Sequence, residues 1–195
     1  MRGTRIGLID ALVGLTATVG LGGVPANASD GHGRHGHGHD HEVINVRILD
    51  KCDPVSFNAG GVDCHPVMQQ RVVVTLNELI ASFDPVNHTA SPAWRFSPSR
   101  IEAEVGDTLH LTNRGGEGHS FTEVPSFGGG CVDFLNAAVG LTEVTANCPA
   151  DFGTVQPPNG TRDITLTSAG EHKFICVIHP WMRATVDVEG DGADD

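Results

Sequence analysis

Ile44, Val46 and Ile48 alternate with Asn45 and Arg47, and the same two-residue period returns over residues 101–105, 109–111 and 184–188. Side chains that repeat at every second residue line one face of a strand, not one stripe of a helix. The alternating segments are short, and 25 glycines and 11 prolines are spread along the chain. This pattern predicts an all-β fold of many short strands joined by turns and packed as a sandwich or barrel. Two hairpins are expected in the C-terminal half. One runs from residues 101–105 through Gly106-Asp107 to 109–111, the other from residues 163–167 through Gly170 to 172–176.

The ends of the chain break this pattern. Arg2 and Arg5 flank the start of a largely apolar stretch over residues 6–21, and Ala26-Asn27-Ala28 then fits a small-x-small cleavage site. Residues 1–28 therefore read as a secretory signal peptide, and the protein is expected to be periplasmic or extracellular. No later apolar run approaches the ~20 residues that cross a bilayer, so no span is expected after processing. Residues 29–42 set His32, His35, His37, His39 and His41 among glycine and aspartate. Such a segment cannot build a core, so a disordered tail that captures metal weakly is expected, with a plain solvated spacer as the alternative. Residues 43–189 form one domain, with residues 125–160 as a long loop insertion and residues 190–195 as an acidic tail. The formal net charge of −12 argues against nucleic acid as a partner, because phosphates would be repelled.

Five cysteines leave one over when the others pair in an oxidising compartment. The simplest pairing is Cys52–Cys64 and Cys131–Cys148, although four cysteines allow three connectivities. A second metal site using Cys64 and His65 is the weaker alternative, since oxidation would remove the thiol. The remaining Cys176 opens the run Cys176-Val177-Ile178-His179-Pro180-Trp181-Met182. It sets a thiolate, an imidazole and a thioether three residues apart in turn at the end of a strand. His119 lies far upstream, at the start of another. Two imidazoles and one thiolate in a plane, with a weak axial thioether, make a type 1 copper site. Soft sulfur ligands stabilise Cu(I) and imidazole suits both oxidation states, so such a site serves single-electron transfer. Taken singly, His119 could be a surface histidine, Met182 a core residue and Cys176 a buried thiol.

Further stretches carry a resemblance. Phe96-Ser97-Pro98, Gly106-Asp107-Thr108, Asn113, Gly118-His119-Ser120-Phe121 and the run from Ala169 to Met182 together resemble the plastocyanin/azurin (cupredoxin) family. The short Cys-x2-His-Pro-x-Met loop is similar to the amicyanin type. The resemblance covers roughly residues 96–189. It implies a Greek-key β-sandwich holding one copper ion at one end, with His119, Cys176 and His179 as strong ligands and Met182 as the weak axial one. Ser120 stands where that family usually has the asparagine that pins the ligand loops together.

Two functions follow from these residues. One is a single-electron carrier, a monomer whose redox partner protein docks near His179, Pro180 and Trp181. The other is copper delivery or storage, with the histidine tail as collector. An enzyme is not expected: a multicopper oxidase or nitrite reductase needs histidines beside the cysteine, and here the neighbours are Ile175 and Val177.

Overall fold

The structure, a computed structural model, describes residues 41–67 and 72–190. The signal segment, His32, His35, His37, His39 and the acidic residues 191–195 lie outside those residues; His41 lies within them and is exposed. Alternation sets the strands as expected. In β1 (Val43–Leu49), Val46 and Ile48 are fully buried while Asn45 and Arg47 are exposed. The later strands are β2 (Arg95–Ser97), β3 (Arg100–Glu104), β4 (Thr108–Asn113), β5 (Thr122–Val124), β6 (Thr161–Thr165), β7 (Gly170–Ile175) and β8 (Arg183–Glu189). They make two four-stranded sheets, ordered β2-β1-β4-β6 and β3-β8-β7-β5. Both are mixed, because β1 runs parallel to β4 and β3 parallel to β8. The expected β-sandwich is the fold that forms. Val46, Ile48, Leu109 and Leu111 from one sheet meet Ile101, Phe174, Ala184 and Val186 from the other in a single core. Each such large apolar side chain contributes about 1.5–3 kcal/mol on full burial.

Neither expected hairpin exists. Strand β3 lies in one sheet and β4 in the other, and β6 and β7 are divided in the same way. The chain crosses the core at both turns. Gly106 N donates to Leu166 O (2.7 Å) and Leu166 N donates to Asp107 O (2.8 Å), so the two crossings bond to each other and close one end of the sandwich. Alternation reports only that one face of each strand is buried. Two buried faces can lie side by side in one sheet or oppose each other across a core, and the period is the same in both cases. β7 and β8 are antiparallel neighbours, and residues 176–182 are their connection at the opposite end.

Three short helices cover that end. Pro54 opens α1 (Pro54–Ala59) under the Asp53 cap, which accepts from Ser56 N. Thr75 and Glu78 form a reciprocal capping box at α2 (Leu76–Ala81). The third, α3 (Asp133–Ala138), sits within the long insertion, which also holds a 3-10 turn (Ala150–Thr154). Both predicted disulfides, Cys52–Cys64 and Cys131–Cys148, are formed, so Cys64 is no thiol ligand and the alternative site with His65 falls away. Cys176 is free and buried.

Candidate metal centre

The loop 176–182 is a tight closure. Met182 N donates to His179 O (2.9 Å) and Cys176 N donates to Met182 O (3.1 Å), which folds the loop back before β8 begins. Arg183 Nε adds a bond to Pro180 O at 3.1 Å. His119 arrives on the segment leading into β5 and pairs there with the returning insertion, His119 N to Gln156 O and Gln156 N to His119 O. Ser120 acts as a clasp. Its hydroxyl oxygen accepts from Val177 N at 2.9 Å, tying the His119 segment to the ligand loop. The insertion adds a third tie, Cys131 N to Val177 O at 2.6 Å. A Cβ on Gly130 would stand 2.2 Å from Val177 O, so only glycine lets the backbone come this close.

These contacts bring three donor atoms together. His119 Nδ1 and His179 Nδ1 each lie 3.7 Å from Cys176 Sγ and 3.2 Å from each other. The point equidistant from the three is about 2.1 Å from each, close to metal–imidazole and metal–thiolate bond lengths. His119, Cys176 and Met182 are wholly buried and His179 is nearly so. The donor set fits a soft, low-coordinate transition metal.

Asp50, at the end of β1, was not singled out by the sequence. Its carboxylate is buried and accepts from Gly116 N (3.0 Å), Glu117 N (3.1 Å), Cys52 N (3.0 Å) and His119 Nε2 (2.7 Å). In a neutral ring, holding the proton on Nε2 leaves the Nδ1 lone pair on the Cys176 side, where it could bind a metal, and sets the ring angle, as a carboxylate behind a ligating histidine does. The loop reaches Asp50 because residues 115 and 116 are glycine: a Cβ on Gly115 would lie 1.9 Å from Asp50 Oδ2. The disulfide Cys52–Cys64 and the bond His65 N to Gly116 O (2.7 Å) brace the same loop. Burial opposes charge on Asp50, but the His119 bond and backbone donors outweigh it and hold the carboxyl down at about 2. Burial likewise opposes charge on His119, yet Asp50 and Cys176 push the imidazole up to about 10. Burial would raise the Cys176 thiol, but the two histidines hold it well below its ordinary value. Without metal, these shifts favour a thiolate and an imidazolium backed by a carboxylate.

Glu117 was missed as well. It is buried, accepts from Trp94 Nε1 at 2.6 Å and stands 3.8 Å from His179 Nε2. Burial raises its carboxyl. A signal existed, since residues two apart on an extended segment share a face and Glu117 precedes His119 by two. Asp50 had no such local signal. Pro180 and Trp181 are largely buried, and Trp181 packs edge-on to His179 at 5.2 Å between ring centroids and against Phe83 at 5.6 Å.

No family model matches this chain, and no curated protein matches it. Among solved structures it is similar to a reduced Cu(I) form of an amicyanin mutant, with 25% identity over 49% of this chain and 73% of that one, at a TM-score of 0.34. It is also similar to a purple cupredoxin from Nitrosopumilus maritimus, with 20% identity over 55% of this chain and 95% of that one, at a TM-score of 0.37. These solved structures are cupredoxins, similar to this chain over about half of its length.

Proposed function

We propose that this is an exported type 1 copper protein that carries single electrons, binding one copper ion through His119, Cys176 and His179 with Met182 as the axial ligand. The observation that carries the reading is the buried triangle of two Nδ1 atoms and one thiolate sulfur. Copper in such a set supplies a one-electron couple. The chain's own residues do the rest. Asp50 fixes the His119 tautomer, Ser120 and Cys131 hold the loop still, and the closed loop excludes water. A donor set that does not move between oxidation states keeps the barrier to electron exchange low. Burial of the donors also favours a carrier over a delivery protein, because an ion held by buried donors leaves slowly. Two formed disulfides support export to an oxidising compartment. The histidine tail, including exposed His41, is proposed as a weak and separate metal collector.

The test is a visible spectrum of the purified protein loaded with Cu(II). Intense sulfur-to-copper charge-transfer colour is expected in the wild type and none in Cys176→Ser. A colourless wild type with full copper occupancy would refute the assignment.

A further inference from the structure

Above His179 the structure opens a cleft of about 450 Å³, within the roughly 300–1,000 Å³ typical of small-molecule sites. Phe57, Leu79, Phe83 and Phe134 are among its walls, and Glu117 and His179 lie at its inner end. Among the described residues its walls are otherwise apolar, and Glu117 is the one acidic side chain. We propose that this cleft binds a small neutral aromatic molecule carrying a hydroxyl group, a ligand of the phenol class.

The walls select the body of the ligand. Three phenylalanine rings and aliphatic side chains favour a flat apolar molecule. An ionic ligand would lose its hydration there, and a second negative charge would face Glu117. Glu117 selects the hydroxyl. One of its oxygens is taken by Trp94, and the other lies 3.8 Å from His179 Nε2, beyond hydrogen-bond length. An entering O–H donor would meet that oxygen, which accepts whether or not the carboxyl carries a proton.

Depth selects a small molecule over a protein. Ile80 and Phe134 at the cleft are 52% and 69% exposed, whereas His179 is 4% exposed. A protein face laid across the exposed side chains would stop short of the imidazole, while a single-ring molecule would reach it. Binding in the cleft does not depend on copper, although the bound ligand would touch the imidazole on which the proposed copper site rests.

The experiment titrates 4-propylphenol into the full metal-free chain, followed by calorimetry and by NMR of the methyl groups. Saturable 1:1 binding is expected, with shifts confined to cleft residues such as Leu79, Ile80, Leu135 and Ile178. The methyl ether 4-propylanisole, which keeps the body and loses the donor, should bind about tenfold more weakly, the worth of one buried hydrogen bond. Phe134→Ala, at an exposed position that should fold normally, should weaken 4-propylphenol by threefold or more. No saturable binding at millimolar probe, shifts elsewhere in the domain, or equal affinity for the ether would each overturn the proposal. Failure of the copper reading would show separately, as a colourless Cu(II) sample.

Discussion

Replacing Asp50 by asparagine tests how much of the centre is built before any metal arrives. The swap keeps the shape and removes the charge. The buried carboxylate receives, among its partners, the backbone N–H groups of residues 52, 116 and 117 and His119 Nε2. An amide presents one oxygen and one NH2 group, so at least one of those donors would face another donor. The His119 imidazolium would also lose one of its two buried counter-charges, keeping only the Cys176 thiolate. Breaking such a pair from one side costs about 3–5 kcal/mol. Urea denaturation of metal-free Asp50→Asn should show a loss of that size. Copper affinity, measured by competition with a chelator of known affinity, should fall about 10–100-fold, the usual effect of removing the carboxylate behind a ligating histidine. A variant within 0.5 kcal/mol of wild type, with copper affinity within about threefold, would refute the claim that Asp50 pre-sets the ring.

The metal-free protein should also show an unusual pH profile, because His119 is raised from 6.5 to about 10 while Cys176 is held well below 9.0. Stability from His119 is complete below pH 6.5 and is lost as pH rises toward 10; stability from Cys176 is gained as pH rises to 9.0. Between 6.5 and 9.0 the folded site keeps its proton on His119 and the unfolded chain keeps one on Cys176, so the two slopes cancel. Stability from this pair should be flat there and fall on either side by about 1.4 kcal/mol per pH unit; in Cys176→Ser the plateau should become a decline from about pH 6.5 upward, and an unchanged plateau would argue against the thiolate–imidazolium pair. Ser120→Ala should cost about 1–3 kcal/mol in metal-free denaturation, since it leaves the buried Val177 N–H without its acceptor, and a loss below 0.5 kcal/mol would remove Ser120 from the clasp.

The strands were legible because each reports its own burial through a period of two, as Val46 and Ile48 do in β1. Their pairing was not. Gly106-Asp107 and Gly170 look like hairpin turns from either side, and only the bonds between residue 166 and residues 106 and 107 show that the chain crosses between sheets there. The three short helices were not foreseen: Asp53-Pro54 and Thr75-x-x-Glu78 carry start signals for α1 and α2, but six residues are too few for a helical period to emerge.

The ligand loop illustrates what sequence alone determines here. Cys176, His179 and Met182 stand on one connection between neighbouring strands, so their spacing already places them together, and the odd cysteine count already set Cys176 apart. Disulfide pairing was local as well, with separations of 12 and 17 residues. The tertiary structure decided the remainder. It brought His119 within 3.7 Å of a sulfur 57 residues away and Asp50 within 2.7 Å of an imidazole 69 residues away. It also buried Pro180 and Trp181 and opened the approach to His179 between helices. Local spacing encodes what one loop can hold. A buried charge is recognisable only by the partners that surround it, and those partners are gathered by the packing of two sheets.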